Sequence, residues 1–179
     1  MLNDQILTTK RVDWTWLRHI AIAIVLSYLL ALSALVRAPV PFSPVPVTAQ
    51  TLVVLLIGAL LPRRYVGSTF GVYLLAGALG LPYFAGVSLA GPTGGYLLGF
   101  VVCALVVSLL MERGWGRHRF SALLALLIGN LLIYVVGLPW LALFVGVTNV
   151  LALGLLPFVI GDLIKLICAS TIVIARYRL

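Results

Sequence analysis

Apolar runs of about 14 to 20 residues recur along almost the whole of this 179-residue chain. Runs of this length are typical of helices that cross a lipid bilayer, where every backbone polar group must be paired within the segment. Hydrophobic residues make up 63% of the sequence and charged residues only 9%, unlike soluble globular domains. The sequence therefore predicts an all-α integral membrane protein and excludes a soluble domain with one anchor helix.

The positions of the runs predict six membrane spans. They are expected at residues 20–36, 48–61, 65–81, 96–111, 120–137 and 157–175. The second is the weakest, because about 14 helical residues cover only about 21 Å. The expected organisation is a cytoplasmic N-terminal segment (1–19), a six-helix membrane domain (20–175) and a cytoplasmic C-terminal tail (176–179).

The basic residues indicate the orientation of the spans. All but two of the twelve lysines and arginines lie before span one, between spans two and three, between spans four and five, or after span six. Basic residues favour the cytoplasmic side, so both termini are expected there. The exceptions are Arg37, in the first outward loop, and Lys165, within span six. The net charge of +8 therefore reflects topology, and no basic stripe indicates a nucleic-acid partner.

The outward loops are longer and nearly uncharged. Residues 38–50 (APVPFSPVPVTAQ) contain four prolines, which favour extended backbone, and residues 82–96 combine aromatic side chains with a glycine-rich turn. Residues 138–156 are apolar and could form a short re-entrant or surface helix. We expect these loops to be ordered.

Asp162 and Lys165 are the only charged residues within the predicted spans. They lie three residues apart and share a helix face. Ionisable groups in a membrane cost at least a few kcal/mol when unpaired, so they usually face a cavity and carry function. The alternatives are a structural ion pair or extension of Lys165 to the interface. We favour ligand binding, because Gly161 beside the pair leaves room for a ligand or a close helix.

Other polar and aromatic residues have two interpretations each. The segment GPTGGY (91–96) offers backbone N–H groups and a hydroxyl, but by itself a tight turn explains it better. Asn130, four residues before Tyr134 in span five, needs partners that another helix or a ligand could supply. Gln50 and Thr48 could cap helix two or line a site. Phe42 and Trp140 fit an interfacial belt and a pocket equally well.

Small residues recur every four positions in span one, at Ala23, Ser27 and Ala31. Such a ridge lets another helix approach closely, either within this chain or from a separate membrane subunit. In contrast, no nucleophile–base set, HExxH motif or carboxylate cluster is present. The sequence therefore predicts no enzyme, no metal site and no cofactor.

Five segments, in order, resemble the BioY family, the biotin-binding S components of energy-coupling-factor (ECF) vitamin transporters. They are PVPFSPVPVTAQTL (39–52), GALGLPYFAG (77–86), GPTGGYLLGF (91–100), GLPWL (137–141) and PFVIGDLIK (157–165). The resemblance covers nearly the whole membrane region. One departure is that only residues 87–90 separate the second and third segments, where family members usually carry a longer glycine-rich stretch.

The resemblance implies a six-helix fold with a substrate pocket near the outer face, closed by the loops after helices one, three and five. Asp162 can accept hydrogen bonds from the ureido N–H groups of biotin, and Lys165 can donate to the ureido carbonyl or pair with the carboxylate. The aromatic residues among the candidates are expected to cover the apolar bicycle. The expected substrate contacts are Asp162, Lys165, Thr93, Gly94, Gly95, Tyr96, Asn130, Phe42, Trp140 and Gln50.

The resemblance also implies partners. A transmembrane coupling protein would dock on Ala23, Ser27 and Ala31, and an ATPase pair would supply energy, because this chain has no nucleotide-binding motif. The implied location is a bacterial plasma membrane. The alternatives are an S component for thiamin or riboflavin, and a structural membrane subunit in which Asp162 and Lys165 pair only with each other.

Overall fold

The computed structural model describes residues 14–82 and 89–177, which form seven α-helices and one small sheet. The helices are α1 (Trp14–Leu35), α2 (Gln50–Leu60), α3 (Arg63–Ala78), α4 (Gly94–Glu112), α5 (Arg119–Val145), α6 (Val150–Gly154) and α7 (Val159–Tyr177). The strands β1 (Arg37–Ala38) and β2 (Val47–Thr48) pair antiparallel. Of the expected segments, residues 1–13, 83–88 and 178–179 lie outside the described residues.

Three helices in the described part of the chain are long and apolar enough to cross a membrane. They are α1, α4 and α5, with mean hydropathies of 1.8, 2.3 and 2.3. The apolar helix α2 has 11 residues and covers about 16 Å. It ends at Leu60, and Pro62, which has an extended backbone conformation, occupies the N-cap position of α3. The expected all-helical class is confirmed.

Several expected boundaries differ from those in the structure. Helix α1 begins at Trp14 rather than at residue 20, and α3 ends at Ala78 rather than at residue 81. Helix α5 continues past Gly137 and through Pro139 to Val145, and residues 150–154 form the separate helix α6. The proline removes one backbone hydrogen bond, but the following residues pack inward, and Leu141 is fully buried. Helix α7 begins at Val159 rather than Pro157. Asp162 and Lys165 therefore lie in the first two turns of α7.

Helix α4 is central, packing against α2, α3 and α5. Glycines allow α4 and α5 to approach closely. A Cβ atom added to Gly99 would lie 2.8 Å from the carbonyl oxygen of Ile133, and one added to Gly129 would lie 2.3 Å from Cγ2 of Val107. Small residues at such contacts let the backbones of the two helices approach closely, as in many membrane helix pairs.

The two ends of the helix bundle differ in charge. At one end, Arg63 at the start of α3 binds Glu112 at the end of α4, with 2.6 Å between Nε and Oε2. At the same end, the Tyr177 hydroxyl of α7 donates to the Ala59 carbonyl of α2 over 3.2 Å. We call this the basic end. The hairpin of β1 and β2, the turn before α4 and helix α6 lie at the other end.

Candidate functional site

A cavity lies at the end of the bundle away from the basic end, with a volume of about 50 Å³. Its walls come from the residues before α2 and from helices α2, α4, α5 and α7. The lining residues are Val45, Pro46, Thr48, Gln50, Thr51, Thr93, Tyr96, Leu97, Phe100, Ile133, Tyr134, Phe158, Asp162 and Lys165. The cavity thus combines an apolar, aromatic wall with one buried ion pair.

Asp162 is the polar centre of this cavity. The residue is buried, and its Oδ1 accepts a hydrogen bond from Lys165 Nζ over 3.0 Å. Its Oδ2 accepts from the Tyr134 hydroxyl, and from Nδ2 of Asn130 over 3.4 Å. A carboxylate is an acceptor-only group, so three converging donors offset the cost of burying its charge.

Helical spacing explains why α5 and α7 each present a pair of polar residues on one face. Asp162 and Lys165 stand at i and i+3 on α7, and Asn130 and Tyr134 stand at i and i+4 on α5. Each pair shares a helix face, and the packing of α5 against α7 brings the two faces together. Tyr134 was not among the predicted site residues. The signal that could have identified it was its spacing from Asn130.

Asn130 retains an unused hydrogen-bonding atom. In the described part of the chain, only Thr69 Oγ1 and Asn130 Oδ1 are buried side-chain polar atoms without a hydrogen-bond partner. An unpaired buried acceptor costs about 1–3 kcal/mol. The Asn130 amide therefore has the capacity to accept one more hydrogen bond beside Asp162.

Tyr96 connects the cavity to helix α6. Its hydroxyl donates to the Gly154 carbonyl over 2.8 Å, and its ring meets the Tyr134 ring edge-on with 6.3 Å between centroids. A Cβ atom added to Gly137 would lie 2.8 Å from the Tyr96 ring. Tyr96 therefore forms part of the cavity wall and also anchors the connection between α5 and α7.

The glycine-rich turn before α4 is a packing surface. Trp140 Nε1 donates to the Gly91 carbonyl over 2.9 Å, and a Cβ atom on Gly95 would lie 2.2 Å from Cβ of Trp140. A Cβ atom on Gly94 would lie 1.9 Å from the Leu89 carbonyl oxygen. Gly94 and Gly95 are buried and do not line the cavity, whereas Thr93 does.

The proline-rich loop supplies the remaining wall. The backbone N–H of Gln50 donates to Thr48 Oγ1 over 3.3 Å, and the side-chain Nε2 of Gln50 donates to the Tyr73 hydroxyl. Gln50 lines the cavity and is the first residue of α2, whose N-cap position is Ala49 without a side-chain cap, so the predicted capping role of Gln50 was wrong. Phe42, in contrast, is 85% exposed and lies away from the cavity lining.

The family model for the BioY family matches residues 5–179 of this sequence. The chain belongs to the BioY family. Two relatives are the "Probable biotin transporter BioY" of Pyrococcus horikoshii, 39% identical, and the "Biotin transporter BioY" of Thermotoga maritima, 37% identical. The alignments cover 78% of this chain in both cases, and 83% and 85% of the two relatives.

The fold is also that of a solved structure described as the S-component for biotin from an ECF-type ABC transporter. The TM-score is 0.78 with 23% identity, over 93% of this chain and 94% of the other. At this identity the likeness concerns the fold. The apolar helices and the membership in the BioY family are consistent with a multi-pass protein of the bacterial plasma membrane.

The structure brings together half of the candidate substrate contacts. Those that line the cavity are Asp162, Lys165, Thr93, Tyr96 and Gln50. Asn130 lies next to the cavity lining and reaches it through Asp162. The others, Gly94, Gly95, Phe42 and Trp140, stand outside the lining, and their contact with a ligand stays a prediction.

Nine of the fourteen lining residues were not among the candidate substrate contacts: Val45, Pro46, Thr48, Thr51, Leu97, Phe100, Ile133, Tyr134 and Phe158. Phe100 and Phe158 fall inside two of the BioY-like segments, and Thr51 follows Gln50 directly. The geometry of the helices and turns places Phe100, Phe158 and Thr51 in the lining of the same cavity as the predicted residues. Within the described ranges, no group of three or more His, Cys, Asp or Glu side chains could hold a metal ion.

The small-residue ridge of α1 faces inward. Ala23, Ser27 and Ala31 are all buried, and α1 packs mainly on α3. Packing inside the bundle, one of the two interpretations of the ridge, therefore accounts for its small side chains in this structure. The larger apolar residues of α1, such as Ile24 and Val25, are exposed instead. Docking of a BioY partner on the ridge stays a prediction.

Proposed function

We propose that this protein binds biotin and acts as the substrate-specific component of an ECF-type vitamin transporter. The observation that carries the proposal is the buried Asp162–Lys165 pair in the wall of an aromatic cavity, in a chain of the BioY family. The family comprises transporter components, so the chain is a binding and transport protein and not an enzyme.

The chemistry of the pair suits the ureido group of biotin. That group presents two N–H donors and one carbonyl acceptor. Lys165 Nζ now donates to Asp162 Oδ1, so moving the ammonium away frees one acceptor and one donor together. The freed Oδ1 can accept a ureido N–H, and Nζ can donate to the ureido carbonyl. The Oδ2 atom stays occupied by Tyr134 and keeps the carboxylate oriented.

Binding requires the cavity to widen. Its volume of about 50 Å³ is well below the roughly 300–1,000 Å³ of typical small-molecule sites. Tyr96, which is bound to Gly154, and the loop before Gln50 line the cavity, so their displacement would widen it for the bicycle. We propose that the aromatic rings of Tyr96, Phe100 and Phe158 then cover it.

We further propose six membrane spans with both termini in the cytoplasm. The shorter helices α2, α3 and α7 would complete the bundle with α1, α4 and α5. Arg63 and Arg117 lie at the basic end, where the positive-inside rule predicts the cytoplasm. This orientation places the cavity near the outer face, beneath the proline-rich loop and α6, where biotin arrives.

Transport would then depend on partners. A coupling protein and an ATPase pair would supply the energy, since the chain has no nucleotide-binding motif. Because Ala23, Ser27 and Ala31 are buried, a partner could reach this ridge only if α1 separated from α3. No cofactor is required for the proposed binding step.

The test is calorimetric titration of biotin into the detergent-purified chain, with thiamin and riboflavin as controls. We expect one-to-one binding of biotin alone. Binding of thiamin or riboflavin but not biotin would identify an S component for another vitamin. No binding of any vitamin by a sample that unfolds cooperatively would refute the binding role and favour a structural subunit.

A further inference from the structure

A second cavity, of about 200 Å³, lies at the basic end of the bundle. It is enclosed by the 3-10 helix Trp115–Arg117, the start of α5 and the end of α7. The lining residues are Gly116, Arg117, His118, Arg119, Ile174 and Tyr177. At about 30 Å³ per water molecule, this volume holds about seven waters or a small hydrated anion.

The wall of this cavity is held by specific contacts. Gly114, with φ of +90°, ends α4 in the left-handed region and turns the chain into the 3-10 helix. Tyr177 packs directly on Gly116, where an added Cβ atom would lie 2.9 Å from its ring. The Tyr177 hydroxyl is bound to the Ala59 carbonyl. The three basic lining residues, Arg117, His118 and Arg119, therefore stand beside a wall that these contacts fix in place.

Among the residues that the structure describes, no carboxylate balances the positive charge at this cavity. Arg117, His118 and Arg119 are consecutive and exposed. In residues 14–82 and 89–177, the two carboxylates, Glu112 and Asp162, are bound to Arg63 and Lys165. Neither Arg117 nor Arg119 has an ion-pair partner there. Guanidinium groups match the geometry of phosphate oxygens, so the cavity suits a phosphate group.

An apolar row continues from Arg119 along α5. Leu123, Leu127 and Leu131 follow at intervals of four residues, form one ridge of the helix, and are all exposed. Phe120, beside Arg119, is 78% exposed. Because α5 is long and apolar enough to cross a membrane, this exposed ridge would face hydrocarbon in a bilayer, with the basic cavity at the level of the headgroups.

We propose that the basic cavity binds the phosphate headgroup of an anionic phospholipid, with one acyl chain lying along the Leu123–Leu127–Leu131 ridge. Arg117 and Arg119 would bind the phosphate oxygens. The lipid would link the end of α7 to the start of α5, at the opposite end of the bundle from the biotin cavity. The proposal is independent of which vitamin the protein binds.

The test is native mass spectrometry of the full chain in mild detergent, titrated with short-chain phosphatidylglycerol and, separately, phosphatidylcholine. We expect phosphatidylglycerol to bind at least about tenfold more tightly. Arg119→Gln should weaken its binding about tenfold. The matched control is Arg113→Gln, which removes the same charge at the same end outside the cavity lining and should change binding less than about twofold.

Three outcomes would overturn the proposal. Equal affinity for the two lipids in the wild-type protein would exclude a site selective for anionic headgroups, whether or not the variants fold. Equal losses in Arg119→Gln and Arg113→Gln would indicate diffuse charge attraction. If inorganic phosphate displaced the lipid at equal concentration, the cavity would be a site for free phosphate. The Leu123–Leu127–Leu131 ridge would then take no part in binding.

Discussion

The Tyr134 hydroxyl on α5 donates a hydrogen bond to Oδ2 of Asp162 on α7. This contact divides the carboxylate into two functional halves, because Oδ2 is held by α5 while Oδ1 faces Lys165. Only the Oδ1 side can exchange its partner without breaking the contact between the two helices. The same side chain can therefore hold the fold together and offer an acceptor to a ligand.

Replacing Asp162 by asparagine should weaken biotin binding. The amide has nearly the same shape but loses the charge that strengthens hydrogen bonds from a ureido group. We expect a loss of about 1.5–3 kcal/mol, measured by calorimetric titration. A cooperative unfolding transition must be shown for the variant, and an unchanged affinity would remove Asp162 from the site.

Replacing Tyr134 by phenylalanine should lower both stability and biotin affinity. The change deletes one donor to a buried carboxylate, a bond of about 1.5–3 kcal/mol. Thermal unfolding and biotin titration of one sample measure both effects. Tyr177→Phe is the matched control, because it deletes a hydroxyl bound to a neutral carbonyl at the far end. Equal losses of biotin affinity in the two variants would contradict the orienting role of Tyr134.

Lys165→Met alone should destabilise the protein, because Asp162 would lose its countercharge while remaining buried. Breaking a buried pair costs about 3–5 kcal/mol. The double variant Asp162→Leu, Lys165→Met removes both charges and should recover most of that stability. We expect the double variant to fold and to bind biotin at least about 100-fold more weakly. If it bound biotin normally, the pair would have a purely structural role.

Gly95→Ala should destabilise the packing of α4 against α5. The added Cβ atom would meet Trp140 Cβ at 2.2 Å, and overpacking of this kind costs about 1–3 kcal/mol. Gly71→Ala in α3 is the control, because nothing lies within 4 Å of its Cβ position. Alanine favours a helix over glycine, so Gly71→Ala should keep or raise the midpoint of thermal unfolding. A Gly95→Ala midpoint at or above the wild-type value would disprove the close contact.

The proposed orientation can be tested by thiol labelling of intact cells. In a background of Cys168→Ser, which removes the exposed cysteine, Phe42→Cys should react with a membrane-impermeant maleimide. Arg113→Cys, at the basic end, should react only after the cells are opened. Labelling of Arg113→Cys in intact cells would reverse the orientation and place the biotin cavity inside.

The approximate positions of the long helices could be predicted from the sequence, because apolar runs are a local property of the chain. The same holds for the shared face of Asp162 and Lys165, which depends only on helical spacing. Boundaries were less accurate where packing overrides a local signal. Helix α5 continues through Pro139 because the residues beyond it, Trp140 and Leu141, find inward contacts.

Which helix each of these faces packs against was decided by the tertiary structure. Tyr134 and Asn130 meet Asp162 across 28 and 32 residues, and periodicity indicates which residues share a face but not which helix that face meets. For the same reason, the contact of Trp140 with Gly95 and the burial of the Ala23 ridge follow only from how the helices pack. Local spacing therefore determines the faces of each helix, and close packing among all the helices determines the site.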